Sequence, residues 1–176
     1  MADQDPITPN PDGNGEGENA APQAATIAQY IKDLSAESPS APQVFQWQNQ
    51  PTLDVQFGIN GNKVADDVHE VVLKVDVAAK SDSGTHFIID LSYGGLFMFR
   101  NFPDEALPPF LLVEAPRLLF PFARQIIAEA VQNLGFPPVL LDPIDFASAY
   151  VAQMEAQQGQ GQGQPGGDGE PPVGHA

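Results

Sequence analysis

The sequence has 176 residues, no cysteine, and only seven lysines and arginines against 23 aspartates and glutamates. Without cysteine there is no disulfide, no thiolate nucleophile and no cysteine-type zinc site. The three histidines, His69, His86 and His175, are too scattered for the paired ligand spacing of a transition-metal site. The shortage of positive charge leaves a formal net charge of −16. Phosphate binding needs the opposite sign, which argues against nucleic acid and anionic membrane as partners and favours solubility and a basic partner surface. The N-terminus lacks the basic-then-apolar pattern of a secretory signal, and no stretch approaches the ~20 apolar residues of a membrane span. These absences predict a soluble cytoplasmic protein with no direct membrane binding.

Catalytic patterns are missing too. Ser83, His86 and Asp90 lie close in sequence, but no Gly-x-Ser-x-Gly elbow accompanies them. Gly13, Gly15 and Gly17 lack the lysine and hydroxyl residue of a phosphate loop. Asp66, Asp67 and Glu70 lack the spacing and turn glycine of a calcium loop. The expectation is a protein that is not an enzyme and uses no metal or cofactor.

What is present is unevenly distributed. Residues 1–24 carry acids among Pro, Gly and Asn, and residues 158–176 are Gln-Gly repeats with Pro. Neither can bury enough apolar surface to offset the entropy of ordering it, so both read as disordered tails around a single domain over 25–157. Seven acids and no bases fall in the tails, which leaves 16 acids against seven bases, a net of −9, for the domain.

Within the domain, strands precede helices. Thr26–Glu37 reads as a strand with Ile27, Ile31, Asp33, Ser35 and Glu37 on one face, its outer half acidic. Residues 38–51 hold three prolines with Val44, Phe45 and the only tryptophan, Trp47; such a loop either packs down on the body or lines a groove. Leu53–Ile59 alternates as a half-buried strand and Asn60-Gly61 reads as its turn. Val68–Lys80 puts Val71, Leu73, Val75, Val77 and Ala79 on one face. After the turn at Ser81–Gly84, Thr85–Phe99 does the same with Phe87, Ile89, Leu91, Tyr93, Phe97 and Phe99. The opposite face of that strand shows His86, Ile88, Asp90, Ser92 and Gly94, an isoleucine among polar residues. Two long strands around a four-residue turn predict an antiparallel hairpin with one covered face.

Pro103-Asp104-Glu105 resembles a helix start. It leads to Pro116–Gly135, where Leu119, Phe122/Ala123, Ile126/Ile127, Ala130/Val131 and Leu134 recur at helical spacing. Pro121 either starts the regular helix or kinks it, and Gly135 stops it. A helix this apolar covers a sheet, a partner subunit, or both. A last helix is expected from Pro143 to about Gln157, with Phe146, Ala149/Tyr150 and Met154 along a stripe. The fold class is α+β, with helices on one side of the sheet.

Several segments together resemble SecB, the bacterial protein-export chaperone family. They are Ser40–Phe45, Ala65–Val75, Gly94-Gly95-Leu96-Phe97, Leu119–Arg124, Gly135-Phe136-Pro137-Pro138 and Leu141–Phe146, in order and without large gaps over about residues 26–157. The resemblance implies a four-stranded antiparallel sheet assembled as a homotetramer, a dimer of dimers. It further implies ATP-independent binding of unfolded preproteins in apolar grooves, which keeps them translocation-competent, and delivery to the SecA motor of the Sec translocase. SecA's basic zinc-containing C-terminal tail would dock on Asp33, Glu37, Ile88 and Asp90, where the family more often has leucine and glutamate at the last two. Clients would bind Leu53, Val55 and Phe57 on a strand, Tyr150 and Met154 on the last helix, and Phe45 and Trp47 in the loop. The family's loop tryptophan aligns nearer Asn49, so Trp47 is shifted by about two positions. The alternative in the same family is a chaperone dedicated to one client, such as an antitoxin.

Overall fold

The computed structural model describes residues 21–160, with side chains to Ala156. Most of the two segments read as disordered tails therefore lies outside the described residues. The first strand opens at Gln23 and the last helix ends at Gln160, so regular elements run slightly past both limits of the expected domain.

Four strands form one antiparallel sheet in the order β1-β4-β3-β2: β1 Gln23–Glu37, β2 Thr52–Ala65, β3 Val68–Ser81 and β4 Gly84–Arg100. The two-residue period decides what is buried. Val71, Leu73, Val75, Val77 and Ala79 of β3 and the six alternating residues from Phe87 to Phe99 of β4 are all buried, as the alternation predicts.

Two strand readings need correction. Asn60-Gly61 is not a turn: β2 continues through it, pairing Asn60 with Val72 and Gly61 with Val71. The valine-rich β3 offers ladder partners to the end of β2, and the chain reverses instead at Asp66-Asp67. There Asp67 adopts φ 59°, a left-handed conformation that Asp tolerates, and its carbonyl accepts the Phe99 N–H at 2.7 Å. Nor do Ile31 and Asp33 share a face. A bulge between them pairs Ile31 with buried Tyr93 and Asp33 with Ser92, so the alternation flips at Lys32. His86, read on the wet face, is buried, because Trp47 packs edge-on against its ring at 5.0 Å.

After β4 the chain is helical from Asp104 to Asn133. A 3-10 turn at Asp104–Ala106, α1 at Leu107–Pro109 and a π-helical turn at Phe110–Glu114 lead into α2, Ala115–Asn133. Pro121 therefore lies inside α2 rather than at its start. By length and composition the Asp104–Asn133 segment is apolar enough to cross a membrane, contrary to the expectation that no stretch approaches that length. Much of this apolar content serves the core: Leu119, Phe120, Ala123, Ile127, Ala130 and Val131 form a buried stripe against the sheet. Leu118 and Phe122, on its flank, stay half exposed. Gly135 at φ 90° ends the helix as expected, with the Phe136 N–H bonded to the Val131 carbonyl at 3.2 Å.

The last helix, α3, spans Phe146–Gln160 and so starts later than Pro143. Asp145 is its cap: Oδ1 accepts the Ser148 N–H at 3.0 Å and Oδ2 the Ser148 hydroxyl at 2.7 Å. These bonds hold the Asp145 carboxyl below its ordinary pKa. Among the described residues the helices cover one face of the sheet and none packs on the other.

Candidate functional site

The covered face is not covered to its edge. Leu53, Val55, Phe57 and Ile59 of β2 pair with Ala79, Val77, Val75 and Leu73, so they extend the buried β3 row toward the sheet edge. Leu53, Val55 and Phe57 nevertheless remain 44%, 39% and 41% exposed. A continuous apolar floor therefore emerges from the core into solvent. One wall is α3, where Phe57, Ile59, Leu112, Ala149, Tyr150 and Gln153 line a cleft of about 280 Å³. Met154, four residues beyond Tyr150 on the same side of α3, is 40% exposed. Thus Phe57 and Tyr150 share one cleft, Leu53 and Val55 continue its floor, and Met154 lies further along α3.

Phe45 and Trp47 are placed differently. Val44 is buried and pins the loop as a 3-10 turn at Gln43–Gln46. Phe45 is 55% exposed yet stacks on Phe136 at 5.4 Å, and Phe136 in turn packs on Phe87 at 5.2 Å. Because Phe87 pairs with Ala79 and Ala79 with Leu53, Phe136 and Phe87 join the loop to the β2 floor. Sequence reading placed Phe87 on the covered face of its strand but gave Phe136 no role; the signal available for Phe136 was an aromatic immediately after the helix-stopping glycine. Trp47 is half-buried, packed on His86 and against Gly84, where an added Cβ would come within 3.0 Å of its ring. Of the two loop aromatics, Phe45 presents the more open surface. Of the two alternatives for the loop, packing down holds for Val44 and Trp47, while Phe45 faces out.

On the opposite, wet face, Glu37 pairs with Ile88, Ser35 with Asp90 and Asp33 with Ser92. The alternation thus brings Asp33, Glu37, Ile88 and Asp90 to one surface across β1 and β4. Ile88 is 40% exposed among these acids. Asp76 of β3 lies opposite Asp90, and the Lys74 ammonium is 3.6 Å from both carboxylates. Sequence reading missed Asp76 and Lys74 as neighbours of Asp90, since their approach depends on register.

A second polar cluster ties β1 to β3 over β4. Glu70 accepts the Tyr30 hydroxyl at 2.5 Å and the Lys32 ammonium at 2.9 and 2.8 Å. The Lys32 and Tyr30 hydrogen bonds hold the Glu70 carboxyl below its ordinary pKa, against the opposing effect of burial. Burial and the Glu70 carboxylate push the Tyr30 phenol up to about 12. Tyr30 crosses β4 at Gly94, where a Cβ would lie 2.7 Å from its ring.

Known proteins are similar to this chain, some in sequence and one in fold. The family model of SecB, described as preprotein translocase subunit SecB, matches residues 17–157. Protein-export protein SecB of Sphingopyxis alaskensis is 53% identical over 151 residues, 86% of this chain and 88% of that protein. The protein of the same name from Zymomonas mobilis is 54% identical over 136 residues, 77% and 83% of the two chains. That of Erythrobacter litoralis is 48% identical over 170 residues, 95% and 93%. Among solved structures, a SecB-like chaperone of Mycobacterium tuberculosis, in complex with a ChAD peptide from an antitoxin, superposes with a TM-score of 0.58. At 16% identity, over 69% of this chain and 90% of that one, it is a likeness of fold.

Proposed function

This chain belongs to the SecB family, and from that membership we propose that it is an ATP-independent chaperone for protein export. It binds unfolded preproteins in apolar grooves, keeps them translocation-competent and delivers them to the SecA motor of the translocase. The observation that carries the reading is the exposed Leu53-Val55-Phe57 row, which continues the hydrophobic core into solvent beside α3. Apolar burial is non-directional and worth ~25 cal/mol per Å², so many weak contacts hold an unfolded chain without reading its sequence. Tyr150, Met154, Phe45 and Trp47 add adaptable aromatic and thioether surface.

In this proposal the protein works in the cytoplasm as a homotetramer, a dimer of dimers. Support comes from Ile31 and Leu34 on edge strand β1 and Leu118 and Phe122 on α2, large apolar side chains that remain at least 40% exposed in a single subunit. SecA's basic zinc-containing tail docks on Asp33, Glu37, Ile88 and Asp90, opposite charges framing one apolar contact. The zinc belongs to the partner, and the chemistry is holding and transfer rather than catalysis.

The test is capture from a mixture of unfolded preproteins, followed by addition of SecA. Retention of several unrelated precursors and their transfer to SecA is expected. Retention of a single peptide, such as an antitoxin segment, would replace general export with service to one client.

A further inference from the structure

The bulge in β1 places two consecutive side chains, Lys32 and Asp33, on the wet face of the sheet. Lys32 bonds Glu70, which alternates with buried Val71, and Asp33 pairs with Ser92. A cation thus sits next to an acid of the proposed docking patch. Its flexible four-carbon stem gives the ammonium freedom to pair with the neighbouring carboxylate. In the structure it does not. Both Glu70 oxygens hold it, at 2.9 and 2.8 Å, and the Tyr30 hydroxyl fixes the same carboxylate at 2.5 Å. Glu70 is itself only 9% exposed and is anchored on central strand β3. Among the described residues Asp33 makes no ion pair, while Asp90 already shares Lys74 with Asp76.

We propose that Glu70 is a positioning residue for the docking patch: it holds the Lys32 ammonium off Asp33. The inference rests on the reading of Asp33 as part of the SecA-docking surface. Glu70 does not touch the partner. It keeps one negative charge of the patch unneutralised. Gly94 is part of the device, since any side chain there would displace the Tyr30 ring that reaches across to Glu70.

Four full-length variants decide the matter: Glu70→Gln, Lys32→Met, the double variant Lys32→Met/Glu70→Gln, and Asp33→Asn. Each is titrated with the basic zinc-loaded tail peptide of SecA and, separately, assayed for retention of an unfolded precursor. Glu70→Gln frees the ammonium and is expected to weaken peptide binding about two- to fivefold, the size of one exposed charge pair, with precursor retention unchanged. The double variant is expected to recover wild-type binding, because no cation remains to neutralise Asp33; a purely structural role for Glu70 would leave it weak. Weak binding in the double variant overturns the inference, as does a Glu70→Gln variant that binds normally while Asp33→Asn does not. Normal binding by Asp33→Asn removes Asp33 from the docking surface, and the inference falls with that reading. Should Glu70→Gln fail to fold, the double variant against Lys32→Met still decides: unequal peptide binding by these two overturns the inference.

Discussion

Phe57 on β2 meets Phe146 at the start of α3 edge to face, with ring centroids 5.9 Å apart and planes at 83°. One ring is 41% exposed and the other 2%, so the proposed client floor is fastened directly to the core. Phe146 has a second aromatic partner, Phe120, at 6.0 Å. Phe57→Ala is therefore expected to leave folding largely intact and to weaken precursor retention by about 2 kcal/mol, the threshold of a binding hot spot. Phe146→Ala is expected to destabilise the fold by about 3–5 kcal/mol, as for a fully buried ring. Urea denaturation and a refolding-delay assay on the same variants separate the two effects.

The wet face makes an independent prediction. Reversing Asp33 and Asp90 together, to Lys, places two cations where the proposed partner brings its own. SecA-tail binding is expected to be lost, by tenfold or more given the several kcal/mol that like-charge juxtaposition costs, while precursor retention stays at the wild-type level. Isothermal titration with the tail peptide checks the first outcome, and unchanged affinity would sink the patch assignment.

The Tyr30–Glu70–Lys32 cluster sets a pH dependence with two limbs. Glu70's pKa is lowered in the folded chain, so its stabilising contribution is complete above the ordinary glutamate value and is lost as pH falls through the lowered one. Tyr30 is raised to about 12, so its contribution is complete below the ordinary phenol value of about 10 and disappears as pH climbs towards 12. Melting temperature against pH is expected to fall on both sides. Glu70→Gln should flatten the acid limb, and Tyr30→Phe the alkaline one.

Gly95 leaves room for α2 to pack closely on the sheet. A Cβ there would lie 2.8 Å from Leu119 and 2.9 Å from the Phe97 ring, both fully buried. Gly95→Ala is expected to cost about 1–3 kcal/mol through overpacking, measured by chemical denaturation.

How much of this was legible in the sequence differed by element. In β3 and β4 strict alternation of large apolar residues named the buried face residue by residue, because a central strand pressed against helices has no other way to sort them. The α2 stripe and its glycine stop were readable for the same reason. Asn60-Gly61 misled because its turn propensity is local, whereas the ladder it joins is set by the length of β3. The bulge at Lys32 left no mark in composition, and without it Ile31 and Asp33 read as sharing a face. The outward placement of Asp33, Glu37, Ile88 and Asp90 was legible by alternation on each strand, but their spacing and the neighbouring Asp76 and Lys74 depend on register between strands. The groove was legible as alternation in Leu53–Ile59. That it stays open follows from α3 meeting β2 near Phe57 and Tyr150 and leaving Leu53 and Val55 exposed, which no local pattern encodes.

The most direct measurement is the refolding of a denatured, slowly folding precursor in the presence of the full chain with no nucleotide added. The account predicts arrest of refolding near one chaperone assembly per precursor, reversed when SecA is supplied, and weakened in the Phe57→Ala variant. Refolding at the precursor's own rate, or arrest that requires ATP, would contradict it.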